Sequence, residues 1–159
     1  MGNFEIARSS VAIAAKILKI PTPDIKILNS KAVTKKRISG MYMFEKDEIV
    51  FNEKWLEVVP EIEVIVTAYH ETRHAYQGYC VKTGTRETDE TIAIWEKELT
   101  NYLQPSGTNI EENDIEYLNQ RIEIDAIAFT HKYVKEHYKM KTYIPKCIKS
   151  KVESRLNAV

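Results

Sequence analysis

The sequence predicts an α+β fold, with a small twisted sheet near the N-terminal end of the chain and several helices after it. Two β-rich runs, residues 38–45 and 48–52, flank the polar pair Lys46-Asp47 and predict a hairpin. Most of the remaining chain carries apolar residues at helical spacing. With 159 residues the chain can bury a real core, and we expect one domain over residues 1–159.

We expect three segments within that domain. Residues 1–37 supply an N-terminal helix, over residues 3–19, and a short strand at 25–28. Residues 38–131 form the core that carries the sequence motifs described below. Residues 132–159 form a C-terminal helical segment that is rich in lysine and arginine.

Hydrophobic periodicity predicts the helices that follow the hairpin. Asn52 can cap a short helix with its side chain. Gly84 is a natural end for the helix expected at about 61–82. Longer helices are expected at about 61–82, 89–103 and 111–138, and a last helix opens at Pro145.

Composition and charge narrow the function classes. The formal net charge is zero, so no global field attracts nucleic acid or a membrane surface. Two cysteines do not make a disulfide framework, and no apolar run is long enough to span a bilayer. The N-terminal apolar run contains lysines and is typical of an amphipathic helix rather than a secretion signal. We therefore expect a soluble cytoplasmic protein with reduced thiols.

Residues 70–74 read His-Glu-Thr-Arg-His, an H-E-x-x-H pattern inside the helix expected at 61–82. Histidines four residues apart lie on one helix face, one turn apart, so their ring nitrogens can bind the same metal ion. Glu71, between them, can take a proton from a metal-bound water. The pattern predicts His70 and His74 as Zn²⁺ ligands and Glu71 as the catalytic general base.

A catalytic zinc ion usually has three protein ligands and one position open to water, so a third ligand is required. In the helix expected at 111–138, Glu123 and Asp125 lie at the two margins of the apolar stripe. Burial of a bare charge is costly, so such carboxylates must be paired or metal-bound. Glu123 is the preferred ligand, and Asp125 is an alternative ligand or an acceptor that orients a histidine N–H. Further candidates are Cys80, His131 and His137.

The order of these features resembles a known family. A hairpin with a Gly-aromatic strand, an H-E-x-x-H helix and a Glu-x-Asp-Ala-x-x-Phe run at 123–129 are similar to the small gluzincin-type metallopeptidases, in particular the ImmA/IrrE-like proteins of bacteria and their mobile elements. The resemblance covers roughly residues 38–131. It implies a zincin-like fold whose edge hairpin packs on the HExxH helix and lines the substrate cleft, with Glu123 as third ligand. Four residues after this glutamate, where the family often has Asn or Asp, the chain has Ile127.

These features together predict a zinc metallopeptidase acting on a peptide or protein. The strand at 41–45 or the strand at 49–52 would present its edge to an extended substrate. Candidate donors to the oxyanion are Tyr69, Tyr76 and His131. The alternative is a regulatory or binding module that keeps a zinc site without turnover. A nucleic-acid partner for the basic C-terminal segment is disfavoured, because a recognition motif and interleaved aromatic residues are missing.

Overall fold

A computed structural model of the chain describes residues 1–29 and 38–159, and it confirms the α+β class. Seven helices and a three-stranded mixed sheet lie in this described part. The chain forms two compact units, Met1–Tyr76 and Gln77–Val159, and the division falls inside one long helix. None of the helices in the described ranges is long and apolar enough to cross a bilayer.

The sheet lies in the first unit, with strand order β1-β3-β2. Strand β1 (Asp24–Leu28) runs parallel to β3 (Glu48–Asn52), and β2 (Gly40–Met43) runs antiparallel to β3. The predicted hairpin is confirmed. Its turn uses Asp47 in the left-handed region at φ 51°, a conformation that Asp tolerates better than most residues. Strand β3 is central, and all five of its residues are buried.

The core of the first unit is built where helix α1 (Asn3–Leu18) packs on this sheet. Ile49 and Phe51 of β3 are completely buried, and each such side chain stabilises the fold by about 1.5–3 kcal/mol. Helix α2 (Glu53–Val58) follows directly, and the predicted cap is confirmed, because the Asn52 side chain accepts the backbone N–H of Lys54 at 3.1 Å. The remaining apolar residues of this core are Ile6, Ala7, Val11, Leu56, Val64 and Ala68.

Helix α3 (Glu61–Thr83) carries the H-E-x-x-H pattern and passes through both units. It ends as predicted at Gly84, whose φ is 63° and whose N–H donates to the Cys80 carbonyl at 2.8 Å. Strand β2 comes very close to this helix at Gly40. A Cβ atom there would lie 3.0 Å from Cγ2 of Thr67, so glycine permits the approach.

The second unit contains helices α4 (Asp89–Thr100), α5 (Ile115–Leu118), α6 (Arg121–Tyr138) and α7 (Lys149–Arg155). The prediction of one helix over 111–138 is wrong at its N-terminal end, because the helix is interrupted before Arg121. The Glu98 carboxylate accepts the N–H groups of Arg121 and Ile122 at 3.0 and 2.9 Å and so caps a new helix. The helix expected at 89–103 likewise ends at Thr100.

The C-terminal part of the second unit is attached by apolar packing. After Pro145 the chain makes a short 3₁₀ turn, Lys146–Ile148, before α7 begins. Ile148 and Val152 are completely buried against Ile124 and Ala128 of α6. This cluster fixes α7 along α6.

The close approach of β2 to α3 generates the first prediction. Gly40→Val should lower the free energy of unfolding by about 1–3 kcal/mol, because the added methyl groups overpack against Thr67. Urea denaturation followed by circular dichroism measures the change. Thr67→Ser removes the methyl group that would be struck, so the double variant should recover part of the loss. Equal losses in the single and double variants would contradict the proposed contact.

Candidate metal centre

The two histidines of the H-E-x-x-H pattern face one another on α3. Their Nε2 atoms are 3.1 Å apart, and the rings meet edge to face at 83°. Two nitrogen ligands about 2.0–2.1 Å from one tetrahedral zinc ion would be about 3.3 Å apart, so the observed spacing suits a shared metal. His74 is buried and His70 is half-buried. The side chains are thus arranged to chelate one ion.

Glu123 completes a group that could hold a metal ion. It lies in the first turn of α6, where the helix dipole favours a negative charge, and it is 1% exposed. The possible ligand atoms of His70, His74 and Glu123 all lie within 4.8 Å of one another. The structure therefore brings the preferred third candidate together with the two histidines. Two imidazoles and one carboxylate match the donor set of hydrolytic zinc sites.

Two tyrosines hold the Glu123 carboxylate. The hydroxyl of Tyr102 donates to Oε1 at 2.7 Å, and that of Tyr117 donates to Oε2 at 3.0 Å. Each oxygen keeps a further lone pair for a metal. Neither tyrosine was expected from the sequence as a partner of Glu123. Tyr102 follows α4 and Tyr117 lies in the short helix α5, and a hydrogen bond to a residue of the next helix leaves no local pattern in the sequence. These bonds compensate for the burial of the charge and orient it.

Glu71 is bonded to the sheet. Its Oε2 accepts the backbone N–H of Tyr42 in β2 at 2.8 Å, and its side chain is largely buried. Since Glu71 shares a helical turn with both histidines, the bond places the edge of the sheet beside the predicted general base. A backbone donor also restricts the rotamers that the carboxylate can adopt.

The sheet offers an edge at β2 and not at β3. The expectation that residues 49–52 present an edge is wrong, because β3 is paired on both sides. In β2 the backbone groups of alternate residues face β3, and the Asn52 N–H donates to the Ser39 carbonyl at 3.0 Å. The intervening Gly40 and Tyr42 therefore direct their N–H and carbonyl groups away from the sheet. Within the described residues β1 and β2 are both edge strands of this sheet, and the edge of β2 is the one that contacts Glu71.

Asp125 has a different environment from Glu123. It is 2% exposed, and its oxygens accept hydrogen bonds from Gln77 Nε2 at 2.7 Å and Arg155 Nε at 2.8 Å. Asp125 is not among the residues whose ligand atoms gather at the histidines. The structure thus favours Glu123 over Asp125 as third ligand and gives Asp125 an ion pair with the last helix.

The other candidates lie outside the gathered ligand atoms. Cys80 is completely buried, and His131 Nδ1 lies 2.9 Å from Thr142 Oγ1. His137 packs against the Tyr133 ring. The Arg73 guanidinium carbon lies over the Tyr76 ring, 4.3 Å from the ring centroid. The oxyanion roles suggested for Tyr69, Tyr76 and His131 stay predictions.

The Tyr42 side chain is not available as an acid. Burial raises its pKa far above the usual range, and a 2.6 Å hydrogen bond to the Asp47 carboxylate raises it further. The hydroxyl therefore stays protonated at all working pH values and fastens the strand to the hairpin turn. The contact of this residue with Glu71 is made by its backbone N–H.

Comparison of the chain with models of protein families, with curated proteins and with solved structures finds no match. The resemblance to the ImmA/IrrE-like proteins therefore stays a prediction.

The two tyrosines generate the second prediction. Tyr102→Phe and Tyr117→Phe should each weaken zinc binding by about tenfold or more, because each removes a hydrogen bond that orients a ligand. Zinc titration in competition with a chromogenic chelator measures this. Tyr143→Phe is the matched control, since that hydroxyl donates to Glu111 on the surface. Unchanged zinc affinity in the Tyr102 and Tyr117 variants would show that they do not orient the ligand.

Proposed function

We propose that the protein is a zinc-dependent metallopeptidase, with His70, His74 and Glu123 as metal ligands and Glu71 as general base. The observation that carries the proposal is the 3.1 Å spacing of the two Nε2 atoms together with a buried carboxylate within 4.8 Å. Three such ligands leave one position of a tetrahedral ion open, as hydrolytic chemistry requires. The same residues favour the relation to gluzincins that the sequence suggests.

The chemistry divides between the metal and Glu71. A bound zinc ion would polarise the substrate carbonyl and lower the pKa of a coordinated water toward about 7. Glu71 does not belong to the ligand group, so its carboxylate can accept the proton of the attacking water. The Tyr42 N–H occupies one lone pair of Oε2, so the carboxylate keeps lone pairs on both oxygens that can receive the proton. The same carboxyl group then returns the proton to the leaving amine.

The edge of β2, which no other strand of the described residues covers, supports an extended peptide as substrate. A peptide added along this edge would bond to the backbone groups of Gly40 and to the carbonyl of Tyr42, whose N–H already donates to Glu71. The Tyr42–Glu71 bond places the edge within one side chain of the general base. Backbone recognition of this kind suits peptides, and it demands little of their side chains.

A second candidate is a zinc-binding module without turnover, acting as a regulatory or binding element. The observation that favours it is the number of hydrogen bonds that already satisfy the site's carboxylates: both oxygens of Glu123 accept tyrosine hydroxyls, and Glu71 is bonded to β2. A site held so firmly also suits a structural ion. The two candidates share the metal and differ in the role of Glu71.

Substitution of Glu71 generates the third prediction and separates the candidates. Glu71→Gln should retain one zinc per chain and lose about 10²–10⁴-fold in the rate of cleavage of an unfolded protein such as casein. Atomic absorption gives the metal content, and release of peptide amines gives the rate. Glu63→Gln is the matched control, because Glu63 is exposed on the same helix.

Each other outcome has a distinct meaning. Full activity in Glu71→Gln would contradict its role as general base. Stoichiometric zinc with no cleavage of a broad set of peptides by the native chain would favour the second candidate. A purified chain that binds no stoichiometric divalent metal would contradict both.

A further inference from the structure

Gln77 lies three residues after His74 on α3 and is completely buried. Its amide Nε2 donates to the Ile122 carbonyl at 2.9 Å and to Asp125 Oδ2 at 2.7 Å. These acceptors are the backbone immediately before Glu123 and the side chain two residues after it. A single amide therefore joins the helix of His74 to the first turn of α6, next to the third candidate ligand.

Asp125 connects this amide to the last helix. Its Oδ1 forms an ion pair with Arg155 Nε at 2.8 Å, and its side chain is almost fully buried. A buried carboxylate that loses its cation is strongly destabilised, so Asp125 depends on Arg155 for its position. The bonds form one chain from Arg155 through Asp125 to Gln77.

Arg155 is itself placed by its surroundings. Its guanidinium lies 6.0 Å from the Trp95 ring centroid, and its Nη2 is 3.9 Å from a Glu87 carboxylate oxygen. The helix that carries it is attached to α6 by buried Ile148 and Val152. Apolar packing of α7 on α6 thus places the Arg155 guanidinium beside Asp125.

We propose that Arg155 is a positioning residue of the metal centre, acting through Asp125 and Gln77 to set the register of α3 against α6. The inference rests on the proposed metal binding by His70, His74 and Glu123. Helix α3 is continuous from His74 to Gln77, so a shift of Gln77 along α6 moves His74 relative to Glu123. Since ligand geometry determines metal affinity, loss of Arg155 weakens metal binding without touching a ligand.

Zinc affinity of the full-length chain tests this fourth prediction. Arg155→Met should raise the zinc dissociation constant by about tenfold to a hundredfold, and Arg155→Lys should recover part of that loss because the charge is kept. The measurement is made well below the unfolding temperature of each metal-free variant, so that folding does not contribute. Lys149→Met on the same helix is the matched control, since Lys149 is exposed and pairs with Glu153 at the surface, at 4.0 Å. It should bind zinc as the native chain does.

Cobalt substitution distinguishes positioning from general stability. With Co²⁺ in the site, the visible absorption of Arg155→Met should change in wavelength or intensity, because the ligands are rearranged. A role in stability alone would lower the unfolding temperature and leave the spectrum and the zinc affinity unchanged. If Arg155→Met does not fold, Gln77→Met removes the amide donor at similar volume and should give the same two changes.

Native zinc affinity and an unaltered cobalt spectrum in a folded Arg155→Met or Gln77→Met variant would overturn the inference and leave the proposed function intact. Absence of stoichiometric metal in the native chain would overturn both. The two failures are thus seen in different proteins and cannot be confused.

Discussion

Burial of two carboxylates on one turn of α6 is the constraint on which the rest of the second unit depends. Glu123 and Asp125 are 1% and 2% exposed, and a bare charge in such a place would cost several kcal/mol. The two carboxylates have different hydrogen-bond partners. Two tyrosine hydroxyls satisfy Glu123 while leaving lone pairs for a metal, whereas a guanidinium and an amide satisfy Asp125. Neighbouring acids thus separate into a candidate ligand and a structural anchor.

The same constraint explains why distant segments belong to one site. Tyr102 and Tyr117 come from the irregular chain around α5, and Arg155 comes from the last helix. These residues lie up to 53 positions apart in the sequence, yet each of them bonds to Glu123 or Asp125 near the N-terminal end of α6. Helix α3 carries the histidines and Gln77. Hydrogen bonds from residues distant in the sequence orient the two carboxylates of α6.

The sequence predicted what local chemistry determines. Asn52 and Gly84 mark helix ends through their own backbone and side-chain bonds, and the spacing of His70 and His74 fixes their common face. Contacts between distant residues were not predictable in this way. The break before Arg121 depends on Glu98, more than twenty residues earlier, and the central place of β3 depends on its pairing with β1. Glu123 was predicted as a ligand from its place beside an apolar stripe over 111–138. The helix is interrupted within that stripe, yet Glu123 is buried as expected.

The bond between Tyr42 N–H and Glu71 has a consequence for the evolution of the chain. The donor belongs to the main chain, so every amino acid except proline at position 42 supplies it. A substitution at position 42 can therefore change the side-chain contact with Asp47 while the backbone bond that orients Glu71 is kept. Proline at position 42 would remove this N–H donor. The strand itself lies at an edge of the sheet, where proline is tolerated.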